Sequence, residues 1–448
     1  MSRLAQVFSF LAVVAISPAA PEAMLVIVGD QHSAYERCAR FVARVDSLRA
    51  AHPGVPFAVL INGDSLEHGN AVARRSSGEV DFAVFAALAR RVPVVINLGN
   101  HEPEFFDVTE TVRRLRAAGL LVISGNLRNP ADGKPYADAS VQLRLGTREL
   151  TVIGVTTDRL STYRVAVRPQ LDLADPVVWA RTHFPTLLRG DGPTSVVLSH
   201  CGLKADRAML PLAPAGALFA GAHDHLRFVH HDGRTVYLHS GSWMEFISIA
   251  RLESAAGGLA WTVEQEPLGE TPVDPEIDGL VRKTVARHLT AEETEIVGRS
   301  PRALGPGEAS LFVVEAARLA TQADAAMVGA TTFGAGLPAG PVTRFAFDAA
   351  VRFDGPLFTA EVDGAWLRRL VARSNQGPET PWEKRSGENL VTVAPKVIDD
   401  GARYRFATTD WVARNAATYL GENPPALVPH PSAKLKSAAL AALRVGEK

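Results

Sequence analysis

Cysteine is almost missing from this chain: Cys38 and Cys201 are the only two in 448 residues. That excludes a thiolate-rich metal site, and nothing in their spacing suggests a bridge. Cys38 falls in a helical pattern. Cys201 reads as a small packed side chain rather than a nucleophile. An excess of charge of one sign is lacking too, since 47 Lys and Arg face 48 Asp and Glu for a formal net charge of −1. The balance argues against a whole-molecule field built for nucleic acid or anionic lipid. A nucleic-acid polymer is therefore not an expected partner, and any recognition of phosphate must be local. Past the N-terminus no apolar run is long enough to cross a bilayer, and there is no long-period repeat or low-complexity segment.

What is present starts with an unusual first segment. Arg3 supplies a positive charge, Leu4 to Ile16 is largely apolar, and Ser17-Pro18-Ala19 offers small residues for cleavage. Residues 1–23 are expected to be a secretory signal, giving a periplasmic or secreted product. The alternative is a start at Met24 and a cytoplasmic product. The length favours at least two domains.

From residue 24 to about 150 strand and helix patterns alternate, with helices predicted over Tyr35–Ala51, Val80–Arg91 and Val108–Ala118. Such alternation predicts a largely parallel sheet covered by helices. Residues 143–157 and 194–263 are richer in strand patterns, so a second sheet is expected beside the first. The expected fold class is α/β: a four-layer α/β/β/α sandwich over 24–265, a linker helix within 266–305, a separate C-terminal α/β domain over 306–428 and an Ala/Leu/Lys tail over 429–448.

Five apolar runs end in residues that bind metals: VIVGDQH at 26–32, VLINGD at 59–64, VVINLGNHE at 94–102, SVVLSH at 195–200 and ALFAGAHDH at 217–225. Runs of this kind read as buried strands, and open α/β sheets place their binding crevice at the carboxyl ends of strands. Asp30 and His32, two apart, share a face. Asp64 has two oxygens and can bridge two cations. Asn100 adds an amide oxygen, and His200, His223 and His225 add nitrogens. Seven donors with one shared carboxylate make two four-donor shells, each with space for water or substrate. Mixed carboxylate and imidazole donors suit Mn, Zn, Fe or Co better than Ca. Two such divalent ions acidify a bridging water and clamp the attacking and departing oxygens of phosphoryl chemistry. His101 is placed to donate to a phosphoryl oxygen or protonate the leaving group, with an acidic neighbour fixing its tautomer. Taken singly, each motif is a turn or a packed histidine; their ensemble and order carry the metal reading. His68, His183, His230, His231 and His239 fall outside it, with His68 the one expected to border the cleft. Arg159 and Arg164 either reach substrate or lie on a helix surface.

The series D-x-H, GD, GNHE, SH and GAHDH resembles the calcineurin-like metallophosphoesterases. Together with the following domain it resembles the bacterial 5′-nucleotidase family, over nearly all of residues 24–420. The resemblance implies that Asp30, His32, Asp64 and His225 hold one ion, and Asp64, Asn100, His200 and His223 the other. It implies the catalytic-histidine role for His101, with Glu104 where the family has an Asp. It also implies a phosphoric ester hydrolase acting on a small phosphorylated substrate, by default a nucleotide. The segment 323–343 departs from the family, placing Gly334 where the family has an arginine that forks onto phosphate. Phe353 and Tyr419 match the family's aromatic substrate-binding positions, with core packing as an equal alternative. The substrate class thus stays open to nucleotide sugars, cyclic nucleotides and thiosulfate-type esters. A catalytically silent ligand-binding protein is the reading from another class.

Overall fold

The computed structural model describes residues 20–445 apart from Arg189, Ala256 and Thr271. The expected signal segment lies, up to residue 19, outside the described residues. Two six-stranded sheets make the first half of the chain. One runs, edge to edge, Gly258–Pro267, Phe246–Ala255, Ala23–Val28, Phe57–Asn62, Val94–Asn97, Leu121–Ile123. Its last four strands are parallel, as helical crossovers require, and the outer hairpin adds antiparallel. The other runs Arg227–His231, Val236–Ser240, Leu218–Gly221, Ser195–His200, Arg148–Thr156, Ser140–Leu145.

Side-chain alternation sets the layers. Along the first strand Met24, Val26 and Val28 join Phe41, Val42 and Val45 of the helix Tyr35–Ala51 in one core. Leu25 and Ile27 point the other way and meet Val152, Val196, Leu198 and Leu218 of the second sheet. The far face of that sheet carries Val155, Val197 and Phe219, covered by Trp179 and Phe184 of the helix Pro176–Leu187. The result is helix, sheet, sheet, helix, as the alternation predicted. Each fully buried Leu, Ile or Phe contributes about 1.5–3 kcal/mol, so strands buried on both faces read as unbroken apolar runs.

The second half is a five-stranded sheet, Leu390–Val393, Ala325–Gly329, Arg403–Thr409, Pro356–Asp363, Val428–Lys434, with a helix layer on each face. Two expectations need correcting. The linker helix expected within 266–305 ends at His288, and the chain then makes the short helix Ala291–Thr294 and the strand Ile296–Ser300. Thr290 starts the short helix with a capping box to Glu293, which breaks the longer one. The helix Pro275–His288 does not hang between domains; Ile277, Leu280, Val281 and Val285 pack into the first core. The tail is likewise structured. Its strand Val428–Lys434 pairs at the sheet edge, where Pro429 and Pro431 are tolerated. Its helix Leu435–Val445 buries Leu435, Ala439 and Leu443.

Candidate metal centre

The carboxyl ends of the parallel strands of both sheets converge on one point, and buried amides hold them there. Asn62 donates through Nδ2 to the carbonyls of Ser199 and Ala220, both at 2.9 Å, across the sheet interface. Asn97 donates to Asn62 Oδ1 at 3.1 Å and to the Val155 carbonyl at 3.0 Å. Past the strand ends the backbone turns sharply. Asp30, His32, Asp64, His223 and His225 all have positive φ, between 49° and 83°. A non-glycine residue in this region costs on the order of 1 kcal/mol or more, so the surrounding structure must impose it. Two glycines explain the GD and GN spellings. A Cβ at Gly63 would stand 2.6 Å from His200 Nδ1, and one at Gly99 would stand 2.4 Å from Asp64 Oδ1.

The seven candidate donors come together. His32 Nε2 lies 3.9 Å from Asp30 Oδ1 and 3.0 Å from His225 Nε2. His225 Nε2 is 3.8 Å from Asp30 Oδ1. On the other side His200 Nε2 is 3.0 Å from Asp64 Oδ2, and the His200 and His223 rings stand 5.3 Å apart. Among the groups that could hold a metal ion are Asp30, His32 and His225, and Asp64, His200 and His223; two more include His101, with His32 and Asp64 or with Glu67 and Glu104. The donor chemistry fits a cation. His200 Nδ1 faces the Asn62 carbonyl at 2.8 Å, so the neutral ring carries its proton there and turns the Nε2 lone pair to the cluster. That Nε2 and Asn100 Oδ1 are buried without a hydrogen-bond partner, an arrangement that is costly unless a cation sits beside them. Asn100 turns its amide nitrogen to the Thr162 carbonyl, 3.3 Å away, which points the oxygen at the cluster.

Electrostatics say the same. Burial, reinforced by the charge of Asp64, pushes the Asp30 carboxyl up to about 8. Burial and the charge of His200 push His223 down to about 3. Burial opposes charge on His200 as well, but Asp64 and Asp30 raise it to about 10. A divalent cation among these groups would favour the ionised carboxylates and the neutral imidazoles.

His101 sits at the edge of the cluster, its Nε2 4.0 Å from Asp64 Oδ2 and its Nδ1 3.3 Å from Glu104 Oε1. Burial lowers its pKa, but the charges of Asp64, Glu104 and Glu67 carry it well above the ordinary range. Two further carboxylates were not singled out from the sequence. Glu102 accepts the amide protons of Asp64, Gly99 and Ser65 at 3.0, 2.6 and 2.7 Å and so ties two ligand loops together. Glu67 faces the imidazoles of His32 and His101. Glu102 stands inside the GNHE motif, which is the only signal the sequence offers for it; Glu67 has none.

Above the centre lies a cavity of about 480 Å³ between the two domains. His68 borders it, as expected, and so do Arg159 and Arg164. Arg159 is held by Glu388 of the second domain at 2.7 Å. Phe353 opens into the cavity at 53% exposure. Tyr419 also lines the cavity, but at 6% exposure most of its ring belongs to the second domain's core, and its hydroxyl accepts from Trp411 Nε1 at 3.0 Å. The exposed aromatic in that corner is Trp411, which the sequence reading missed. Gly334 has a packing reason, for a Cβ there would stand 2.4 Å from the Ala349 carbonyl oxygen and 2.9 Å from the Trp243 ring. Of the other histidines, His239 is locked in a buried network with Tyr237 and Asp206, and His230 stacks on Trp382.

Residues 24–227 match the calcineurin-like phosphoesterase family. An apyrase of Anopheles gambiae is 29% identical over 156 residues, 32% of this chain and 26% of that protein. The match thus spans about a quarter of that relative's length. Among solved structures, a 5′-nucleotidase precursor from Thermus thermophilus aligns over 94% of this chain and 96% of its own, with TM-score 0.61 and 17% identity. The sulfate thiohydrolase SoxB of Thermus thermophilus aligns over 96% and 95%, with TM-score 0.66 and 15% identity. A 5′-nucleotidase from Candida albicans aligns over 95% and 98%, with TM-score 0.59 and 11% identity. These likenesses establish a shared two-domain fold.

Proposed function

Residues 24–227 are a calcineurin-like phosphoesterase domain, and from that premise we propose a divalent-metal-dependent hydrolase of phosphoric monoesters, with a nucleoside monophosphate as the first substrate class. The observation that carries this reading is the cluster of seven candidate donors, five of which (His32, Asp64, Asn100, His223 and His225) line the interdomain cavity. Asp30, His32, Asp64 and His225 would hold one ion, and Asp64, Asn100, His200 and His223 a second. Bound there, divalent metal neutralises phosphoryl charge and acidifies water. His101 presents Nε2 to the cleft while Glu104 holds Nδ1, so the imidazolium donates to a phosphoryl oxygen or to the departing group. The carboxylates around it keep that proton in place near neutral pH. Phe353 and Trp411 offer flat apolar faces at the far end of the cavity, which suits a base. Tyr419 serves as the support of Trp411.

Protein reconstituted with Mn²⁺ should hydrolyse p-nitrophenyl phosphate. Asn100→Ala and His101→Ala should each lower kcat/KM by on the order of 10²-fold or more, and ordinary turnover in both would sink the assignment. In the same assay Phe353→Ala should raise KM for a nucleoside monophosphate roughly tenfold and spare the aryl phosphate. A second reading, a diester or thiosulfate-type ester, is favoured by Gly334, which offers no guanidinium at the position where the resembled family has an arginine. Equal KM changes for nucleotide and non-nucleotide substrates would support it. A periplasmic or secreted location rests on the apolar N-terminal segment, and cell fractionation tests it.

A further inference from the structure

One carboxylate stands between a candidate metal ligand and the candidate catalytic histidine. Glu67 follows Asp64 by three residues and is 4% exposed. Its Oε2 lies 3.2 Å from His32 Nδ1 and 3.7 Å from His101 Nδ1. The two rings meet edge to face, with centroids 5.0 Å apart. His32 Nδ1 is buried and makes no other hydrogen bond among the described residues, and this oxygen faces it. The other oxygen, Oε1, accepts the Gly69 amide proton at 2.6 Å, so the carboxylate is anchored rather than free to swing. Arg352 of the second domain steadies the same corner. It donates to the His32 carbonyl at 3.2 Å and lies over the Trp243 ring, which in turn stacks on His32.

A carboxylate opposite Nδ1 is an acceptor, so Nδ1 carries the proton and Nε2 is left for other work. In both rings Nε2 faces the cluster, towards Asp30 and His225 from His32 and towards Asp64 from His101. An imidazole held this way by a carboxylate is fixed in rotation and made a stronger donor to metal. Glu104 reaches only His101; its second oxygen is taken by the His68 amide at 2.5 Å.

We propose that Glu67 is a positioning residue shared by both imidazoles: one oxygen orients His32 towards metal and, through its charge rather than a hydrogen bond, supports the His101 imidazolium whose Nδ1 Glu104 holds. Metal affinity and turnover then depend on the same side chain. The proposal rests on the roles given above to His32 and His101. It also separates two carboxylates that stand alike beside His101, because Glu67 acts on metal binding and turnover whereas Glu104 acts on turnover alone.

The test uses the full chain and the variants Glu67→Gln and Glu104→Gln. Metal-free protein is titrated with Zn²⁺ against a chelating dye, and kcat and KM are measured on p-nitrophenyl phosphate at saturating metal. Glu67→Gln should bind at least one ion roughly 10–100-fold more weakly and lose kcat with little change in KM. Glu104→Gln should lose kcat and bind Zn²⁺ like the wild type. Glu67→Asp keeps the charge and should recover part of the metal affinity, which separates orientation from misfolding. Cobalt-loaded samples give a second readout, since the absorption bands should shift in Glu67→Gln only. Wild-type metal affinity in Glu67→Gln, or equal loss of affinity in Glu67→Gln and Glu104→Gln, overturns the proposal alone. Wild-type protein that takes up no metal overturns the underlying reading and the proposal with it.

Discussion

Asp81 puts a carboxylate where charge is least welcome. It is 4% exposed on the helix Glu79–Ala89, receives the Tyr35 hydroxyl at 2.8 Å, and burial pushes its pKa up to about 7. A carboxyl whose folded pKa is raised stays protonated in the folded state after the unfolded chain has released its proton. Stability is therefore lost as pH rises from the unfolded value towards 7 and stays lost above it. Asp81→Asn should raise Tm at about pH 8 and leave it nearly unchanged at about pH 4. Thermal unfolding at both pH values checks this; the same gain at each would mean a packing effect instead. The residue scale also shows what a sequence can disclose. As candidate donors, Asp30, His32, Asp64, Asn100, His200, His223 and His225 were legible because each closes an apolar run. Glu67 and Glu102 were not. Their partners are backbone amides and rings brought in by folding, and apart from the place of Glu102 in GNHE nothing in the sequence marks such a role.

At the scale of elements, the alternation of strand and helix in the first half was plain because period-2 and period-3.6 patterns follow one another without ambiguity. The helix Tyr35–Ala51 has the bounds that its apolar spacing predicts. The second half resisted for physical reasons. The strand Ile296–Ser300 has charged neighbours and an edge partner, and Val428–Lys434 carries prolines that a central strand would refuse. The segment around Trp382 carries more weight than its loop character suggests. Trp382 stacks on His230 with centroids 4.3 Å apart, lies under the Arg207 guanidinium, and offers its carbonyl to the same arginine. Arg385 covers Phe228 from the same loop. This strap from the second domain is seated on the first. Trp382→Ala should cost about 1–3 kcal/mol and open the loop between the helix Gly364–Ala372 and the strand Leu390–Val393 to protease. An unchanged cleavage pattern would show that the remaining contacts suffice.

On the scale of the whole molecule, the two domains meet over the metal centre, and contacts from both secure it. Arg352 reaches the backbone of His32, and Arg159 pairs with Glu388. Metal that binds only the folded chain stabilises it by mass action, by about 2.7 kcal/mol at a hundredfold excess over Kd. Chelation should therefore lower Tm of the intact protein, and Mn²⁺ should restore it. A Tm indifferent to both would argue against a metal centre. The left-handed backbone at Asp30, His32, Asp64, His223 and His225 adds a tension to this balance. Glycine at any of these positions would relax the turn and delete the donor in a single change. Tolerance to heat and capacity for chemistry are thus opposed at the same residues. A library of variants selected in chelator for survival at high temperature would be expected to discard the centre one ligand at a time.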